Sequence, residues 1–103
     1  LRGDDLLPST PRQILLYVAL GLEIPSFSHV PLVLGPDGGR LAKRSGALSL
    51  PQLREKGEDP QAICGLLASL SGLATPDERL SPRDLVPRWD PEKLPTDPVY
   101  LPA

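Results

Sequence analysis

The sequence is poor in most residues that carry chemistry. One cysteine, Cys64, among 103 residues excludes an internal disulfide framework and points to a reducing compartment. One histidine, His29, beside that single thiol cannot build a four-ligand zinc site of the usual kind. A net charge of −2 argues against a protein that coats nucleic acid by bulk charge, so any phosphate contact has to be local. No apolar run approaches the ~20 residues that span a bilayer, and the polar opening Leu1-Arg2-Gly3-Asp4-Asp5 lacks the apolar region of a signal peptide. Aromatic residues are limited to Tyr17, Phe27, Trp89 and Tyr100, which leaves leucine to build the core. There is no Ser-His-Asp set at recognisable spacing, no Cys-His pair near in sequence, and no G-x-x-x-x-G-K-[ST] loop. Self-contained catalysis is not encoded here.

Proline is what the chain has in excess. Its 14 copies stand well above an average usage of about 5%. They are dispersed, and many follow Ser, Thr or Asp, which is a helix-start pattern rather than a linker. Thr10-Pro11-Arg12-Gln13 has capping-box spacing, with Thr10 as N-cap and Gln13 at N3. Ile14, Leu15, Val18 and Leu22 follow at helical spacing, and Gly21 is a stop. This predicts a helix over about 11–20, buried on one face. Ser28–Leu34 is apolar, partly β-branched and too short for a helix; it predicts a strand that Pro31 confines to an edge or to the start of a ladder. His29 on that strand reads as a hydrogen-bonded structural residue rather than a catalytic base. Ser49-Leu50-Pro51-Gln52 repeats the capping box, with Gly57 closing a short helix. Asp59-Pro60 starts the next one, with Ile63, Leu66, Leu67 and Leu70 as its apolar stripe and Gly72 at its end. Cys64 is read as a small core or boundary residue. Ser81-Pro82 starts a short helix that Pro87 stops, and Asp90-Pro91 starts a turn ending near Leu94. Residues 95–103 are expected to be extended, with Leu85, Val86, Trp89 and Leu94 pinning the tail to the body.

The stretch with the most chemical content is Leu34-Gly35-Pro36-Asp37-Gly38-Gly39-Arg40-Leu41-Ala42-Lys43-Arg44-Ser45. Pro36 and Asp37-Gly38 are turn formers. Three cations, Arg40, Lys43 and Arg44, follow within five residues. Fixed cations on a mobile loop suit a polyanion such as a nucleotide triphosphate. Taken alone, the same residues also fit a solvated basic turn.

Arg40-Leu41-Ala42-Lys43-Arg44 resembles the K-M-S-K-S signature of class I aminoacyl-tRNA synthetases, written K-L-S-K-R in the glutamyl branch. Arg2-Gly3-Asp4-Asp5-Leu6-Leu7-Pro8-Ser9-Thr10-Pro11-Arg12-Gln13 is similar to the segment before the last helix of that catalytic domain. His29-Val30-Pro31-Leu32-Val33-Leu34-Gly35-Pro36-Asp37-Gly38 resembles the strand and turn that lead into the signature. The likeness covers about residues 1–72. The remainder, through Trp89, Leu94-Pro95 and Tyr100-Leu101-Pro102, looks like the short ending of the glutamyl-queuosine tRNA(Asp) synthetase branch, which lacks an anticodon-binding domain.

The resemblance implies an α/β parent with a Rossmann-like catalytic domain. Within it, this chain would be mostly α-helical, with a short strand and hairpin around the signature loop. Residues 1–48 would end the nucleotide-binding domain; 49–103 would form a helical stem-contact region with a Pro-rich tail. The chain begins at Leu1 rather than Met, so it is expected to be a processed or truncated piece. The H-I-G-H half of the site, with the zinc ligands of this branch, would lie outside it, and the 103 residues alone are expected to be inactive. The implied reaction activates glutamate with ATP, accompanied by Mg²⁺, and transfers the glutamyl group to the queuosine wobble nucleoside of tRNA(Asp). The complete protein is expected to be a cytoplasmic monomer.

Residue by residue, Lys43 matches the second signature lysine and would neutralise phosphate charge as pyrophosphate departs. Arg40, Leu41, Ala42 and Arg44 complete the ATP-binding loop, with Ala42 in place of the usual serine. Asp5 matches an acid near the nucleotide. Arg2 matches the arginine that pairs with substrate glutamate, where a guanidinium holds a carboxylate bidentately. No metal ligand is assigned in this chain. Two rivals stand beside this reading: a piece of a discriminating or non-discriminating glutamyl-tRNA synthetase, and a non-catalytic tRNA-contact or interaction module.

Overall fold

A computed structural model describes residues 1–41 and 49–102. The chain opens with a two-residue strand, β1 (Arg2–Gly3), followed by a 3₁₀ turn over Asp4–Ser9 and helix α1 (Thr10–Ala19). A second short strand, β2 (His29–Val30), lies parallel to β1, with Arg2 beside His29 and Gly3 beside Val30. Strand, crossover helix and parallel strand make a βαβ unit, the building block of α/β folds.

The 28–34 stretch is extended, as its composition predicts, but Pro31 splits it. Beyond Pro31 the chain changes partner: β3 (Val33–Leu34) pairs in parallel with β4 (Val99–Tyr100) at the end of the tail. The bonds from Val99 N–H to the Leu32 carbonyl (3.0 Å) and from Leu101 N–H to the Leu34 carbonyl (2.8 Å) lock that register. Among the described residues the Pro-rich tail bends at 96–97 and then runs extended, supplying a strand that its composition conceals.

Helix α2 (Leu50–Glu55) carries the capping box read from Ser49 and Gln52. Helix α3 (Pro60–Leu70) is capped by Asp59, whose carboxylate accepts from the N–H groups of Gln61 and Ala62. Helix α4 (Pro82–Leu85) has a further box, Ser81 with Asp84. It ends before Pro87, as expected; a 3₁₀ turn follows over Val86–Arg88, and another covers Pro91–Lys93. Helices α1, α2 and α3 all end on left-handed glycines, Gly21, Gly57 and Gly72, with φ of +66°, +75° and +74°. After α1, Gly21 N–H bonds to the Val18 carbonyl (3.1 Å) and Leu22 N–H to the Tyr17 carbonyl (2.9 Å), the paired bonds of a Schellman stop.

Several expectations are corrected. Thr10 is not the N-cap of α1. Its backbone is already helical (φ −58°, ψ −43°), whereas an N-cap residue is not, and Ser9 holds the cap position without a side-chain bond. The apolar face of α1 is not buried: Leu15, Leu16 and Val18 are 67, 59 and 61% exposed. Nor is the core leucine-rich, since the buried hydrophobic side chains among the described residues are Ala68 and Leu80. In α3 the deepest positions are Gly65 and Ala68, not the leucine stripe. Gly65 is there because the turn at Glu78 crosses the helix so closely that a Cβ would overlap the Glu78 carbonyl. Val86 and Trp89, expected to pin the tail, are 74 and 54% exposed. The radius of gyration of 16.7 Å exceeds the roughly 13 Å of a compact 100-residue domain. An open shape with thin parallel pairs leaves the leucines with too little opposing surface.

No helix among the described residues is long and apolar enough to cross a membrane.

Candidate functional site

Two clusters hold the described residues singled out from the sequence. The first is built around Arg2. In a parallel pair, residues opposite each other place their side chains on one face of the sheet, and the register sets Arg2 beside His29. Arg2 Nε donates to His29 Nε2 at 3.0 Å. Thr10 and Gln13, three residues apart, share a face at the start of α1. Both reach the other end of the guanidinium: Arg2 Nη2 donates to Thr10 Oγ1 at 2.7 Å, and Nη1 donates to Gln13 Oε1. The side chains expected to cap the helix therefore hold an arginine instead. The Phe27 ring lies against the guanidinium, its centroid 5.0 Å from Cζ, at the distance of a cation–π contact.

A guanidinium has five N–H donors. Three are taken by these partners among the described residues, which leaves one on each η nitrogen. Every one of the polar partners is uncharged, since a histidine that accepts through Nε2 carries its proton on Nδ1. The other arginines that form ion pairs here meet carboxylates: Arg40 with Asp5, Arg79 with Asp59, Arg88 with Glu78. Arg2 is thus fixed in place with its charge unspent. It borders a cleft of about 460 Å³ walled by Gln13, Leu16, Tyr17 and Phe27.

The second cluster joins the carboxyl end of β1 to the signature loop. Asp5 lies just past β1, where open α/β sheets bind their ligands. Gly35 follows β3 and begins a tight hairpin: its N–H bonds to the Gly39 carbonyl (2.8 Å), and Gly38 N–H bonds back to the Gly35 carbonyl (2.9 Å). Gly38 takes the left-handed position with φ +79°, and the Asp37 carboxylate accepts from Gly39 N–H at 3.0 Å. The expected returning strand is a single antiparallel bridge between Leu34 and Arg40. From there the Arg40 guanidinium reaches Asp5 at 2.6 Å. A Cβ on Gly3 would stand 2.6 Å from Asp5 Oδ1, so glycine clears the space for that carboxylate. Two residues read separately from the sequence as nucleotide neighbours are therefore in contact. Leu41 follows, 45% exposed. Ala42, Lys43 and Arg44 lie outside the described residues.

Sequence reasoning missed Thr10, Gln13 and Phe27 as partners of Arg2, and gave His29 a structural bond without its partner. The i, i+3 spacing of Thr10 and Gln13 was the available signal; the strand register that brings His29 across was not readable. No group of three His, Cys, Asp or Glu side chains is placed to hold a metal ion among the described residues.

A family model described as tRNA synthetases class I (E and Q), catalytic domain, matches residues 1–81. The chain belongs to that family. It is 54% identical over 103 residues to a glutamyl-Q tRNA(Asp) synthetase of Symbiobacterium thermophilum, covering all of this chain and 32% of the relative. It is 46% identical over 102 residues to glutamate–tRNA ligase 2 of Rubrobacter xylanophilus, covering 98% of this chain and 21% of that one. Among solved structures, a glutamate tRNA ligase from Elizabethkingia meningosepticum in complex with its amino acid superposes with a TM-score of 0.74 at 29% identity, over 99% of this chain and 24% of that one. The chain therefore spans a third or less of the length of these class I synthetases. The likeness to the solved ligase bears out the class I synthetase fold read from the signature.

Proposed function

We propose that this chain is the signature-loop part of an enzyme that activates glutamate with ATP and transfers the glutamyl group to the queuosine nucleoside of tRNA(Asp), in the cytoplasm and as a monomer. Residues 1–48 close its nucleotide-binding domain, and 49–103 form its stem-contact region. The observation that carries the reading is Arg2: a guanidinium held at three points by uncharged groups, with one N–H left on each η nitrogen. Such an arginine recognises a carboxylate bidentately and with its full charge, as the selection of glutamate requires.

Activation joins a glutamate carboxylate oxygen to the α-phosphorus of ATP, and pyrophosphate leaves. Charge grows on the departing phosphates, and fixed cations there lower the barrier more than they stabilise bound substrate. Lys43 is assigned that role, with Arg40, Leu41, Ala42 and Arg44 completing the phosphate loop. The Arg40–Asp5 pair ties the start of this loop to the end of β1. The queuosine branch is favoured because relatives named glutamyl-Q tRNA(Asp) synthetase match at 54 and 48% identity. A second reading, a glutamate–tRNA ligase that charges tRNA(Glu), is supported by the relative at 46% and by the solved ligase.

The test is glutamate-dependent ATP–pyrophosphate exchange by the full-length gene product. Arg2→Ala raises the glutamate KM and leaves the ATP KM in place; a change confined to ATP binding would overturn the assignment of Arg2. The 103 residues alone give no exchange, because they correspond to only 32% of the first relative.

A further inference from the structure

We infer that His29 is a positioning residue for glutamate recognition: by accepting from Arg2 Nε it fixes the plane of the guanidinium and leaves its charge available. The inference rests on the reading of Arg2 given above.

Four contacts define the cradle, and they do different work. Phe27 supports the guanidinium face without fixing rotation in its plane. Thr10 and Gln13 hold the η ends, the same ends that must also serve a ligand. His29 alone takes the Nε proton, at 3.0 Å, a site that a bidentate ligand on the η nitrogens does not use. It acts from a strand whose register with β1 is set by main-chain pairing, Arg2 against His29 and Gly3 against Val30. Arg2 N–H adds a bond to the Ser28 carbonyl at 3.1 Å, so acceptor and donor are carried on backbones bonded to each other. The Nε bond is therefore the fixed point from which the η nitrogens are aimed.

The chemistry of the acceptor matters as much as its place. A carboxylate at position 29 would hold Arg2 more strongly, yet would neutralise the charge that a carboxylate ligand needs. An imidazole accepting through Nε2 supplies geometry without countercharge. His29 does not touch the reacting atoms, so its effect belongs in substrate affinity rather than in the chemical step.

The experiment compares glutamate KM and kcat in ATP–pyrophosphate exchange for the full-length gene product and its variants. His29→Phe, which removes the acceptor, raises the glutamate KM about tenfold, the lower scale of one hydrogen bond to a charged group, with kcat and ATP KM little changed. His29→Gln, whose amide oxygen can accept from Nε, recovers most of that loss. His29→Asp, which adds countercharge, raises KM although the bond is kept. In an Arg2→Ala background, His29→Phe adds no further loss. If Arg2→Ala raises KM and His29→Phe does not, the inference fails while the reading of Arg2 survives. If Arg2→Ala has no effect, the reading itself fails. A readout on unmutated protein covers variants that do not fold: ¹⁵N spectroscopy of the imidazole finds the proton on Nδ1, and a proton on Nε2 would overturn the inference.

Discussion

Gly65→Ala tests the packing that sets α3 against the turn at Glu78. The perturbation is one methyl group. Built on the Gly65 backbone, it overlaps the Glu78 carbonyl oxygen and stands 2.8 Å from the Glu78 carbonyl carbon. The obstacle is main chain, so no rotamer change relieves it; helix and turn must separate. Overpacking costs roughly 1–3 kcal/mol, and a backbone clash belongs at the top of that range or above. Alanine returns about 1 kcal/mol of helix propensity. The net is a loss of about 2 kcal/mol, or a melting temperature lower by roughly 8–16 °C for a chain of this size. Gly57→Ala is the contrast: its φ is +75° but nothing lies within 4 Å, so only the left-handed backbone cost of about 1 kcal/mol applies. Thermal denaturation followed by circular dichroism separates the two. A Gly65→Ala chain as stable as its parent would refute the close crossing of α3 and the turn.

Further expectations concern charge, caps and the signature loop. The Thr75 N–H, the Arg88 guanidinium and the Thr75 hydroxyl lower the Glu78 pKa from 4.5 to about 2, and the Ser81 hydroxyl and N–H lower that of Asp84. Folded pKa values below the unfolded ones mean that this stability is fully present above about pH 5 and drains away toward pH 2; urea midpoints across that window fall with pH, and Glu78→Gln flattens the slope. Asp59→Ala removes both the cap of α3 and the partner of Arg79, and costs about 1 kcal/mol or slightly more in urea denaturation; Asp59→Asn, which keeps the cap, costs less. In the full-length gene product, Lys43→Ala slows single-turnover adenylate formation by roughly 10²-fold or more, and an unchanged rate would remove Lys43 from the mechanism.

How far the sequence could be read depended on whether the cause was local. Ser49 with Gln52, Asp59 before Pro60, and glycines 21, 57 and 72 announced their helix ends because a cap is a bond between near neighbours. Thr10 with Gln13 has the same spacing as Ser49 with Gln52, but the 3₁₀ turn before it leaves Thr10 already helical, and both side chains go to Arg2 instead. The β1–β2 and β3–β4 pairings are long-range, and two-residue strands carry no periodicity to betray them. Burial was misjudged for a related reason: helical spacing shows which face of α1 is apolar, not whether anything covers it. At the site, Arg2, Asp5 and Arg40 were found through motif resemblance. Their company was not, because Asp5 and Arg40 are 35 residues apart and Arg2 and His29 are 27 apart.

The most direct test of the account is aminoacylation by the full-length gene product with two acceptors, queuosine-containing tRNA(Asp) and tRNA(Glu), under the same glutamate and ATP. Glutamyl transfer to tRNA(Asp) is expected, lost when queuosine is absent, with none to tRNA(Glu). Charging of tRNA(Glu) with tRNA(Asp) left untouched would contradict it and make the protein a glutamate–tRNA ligase.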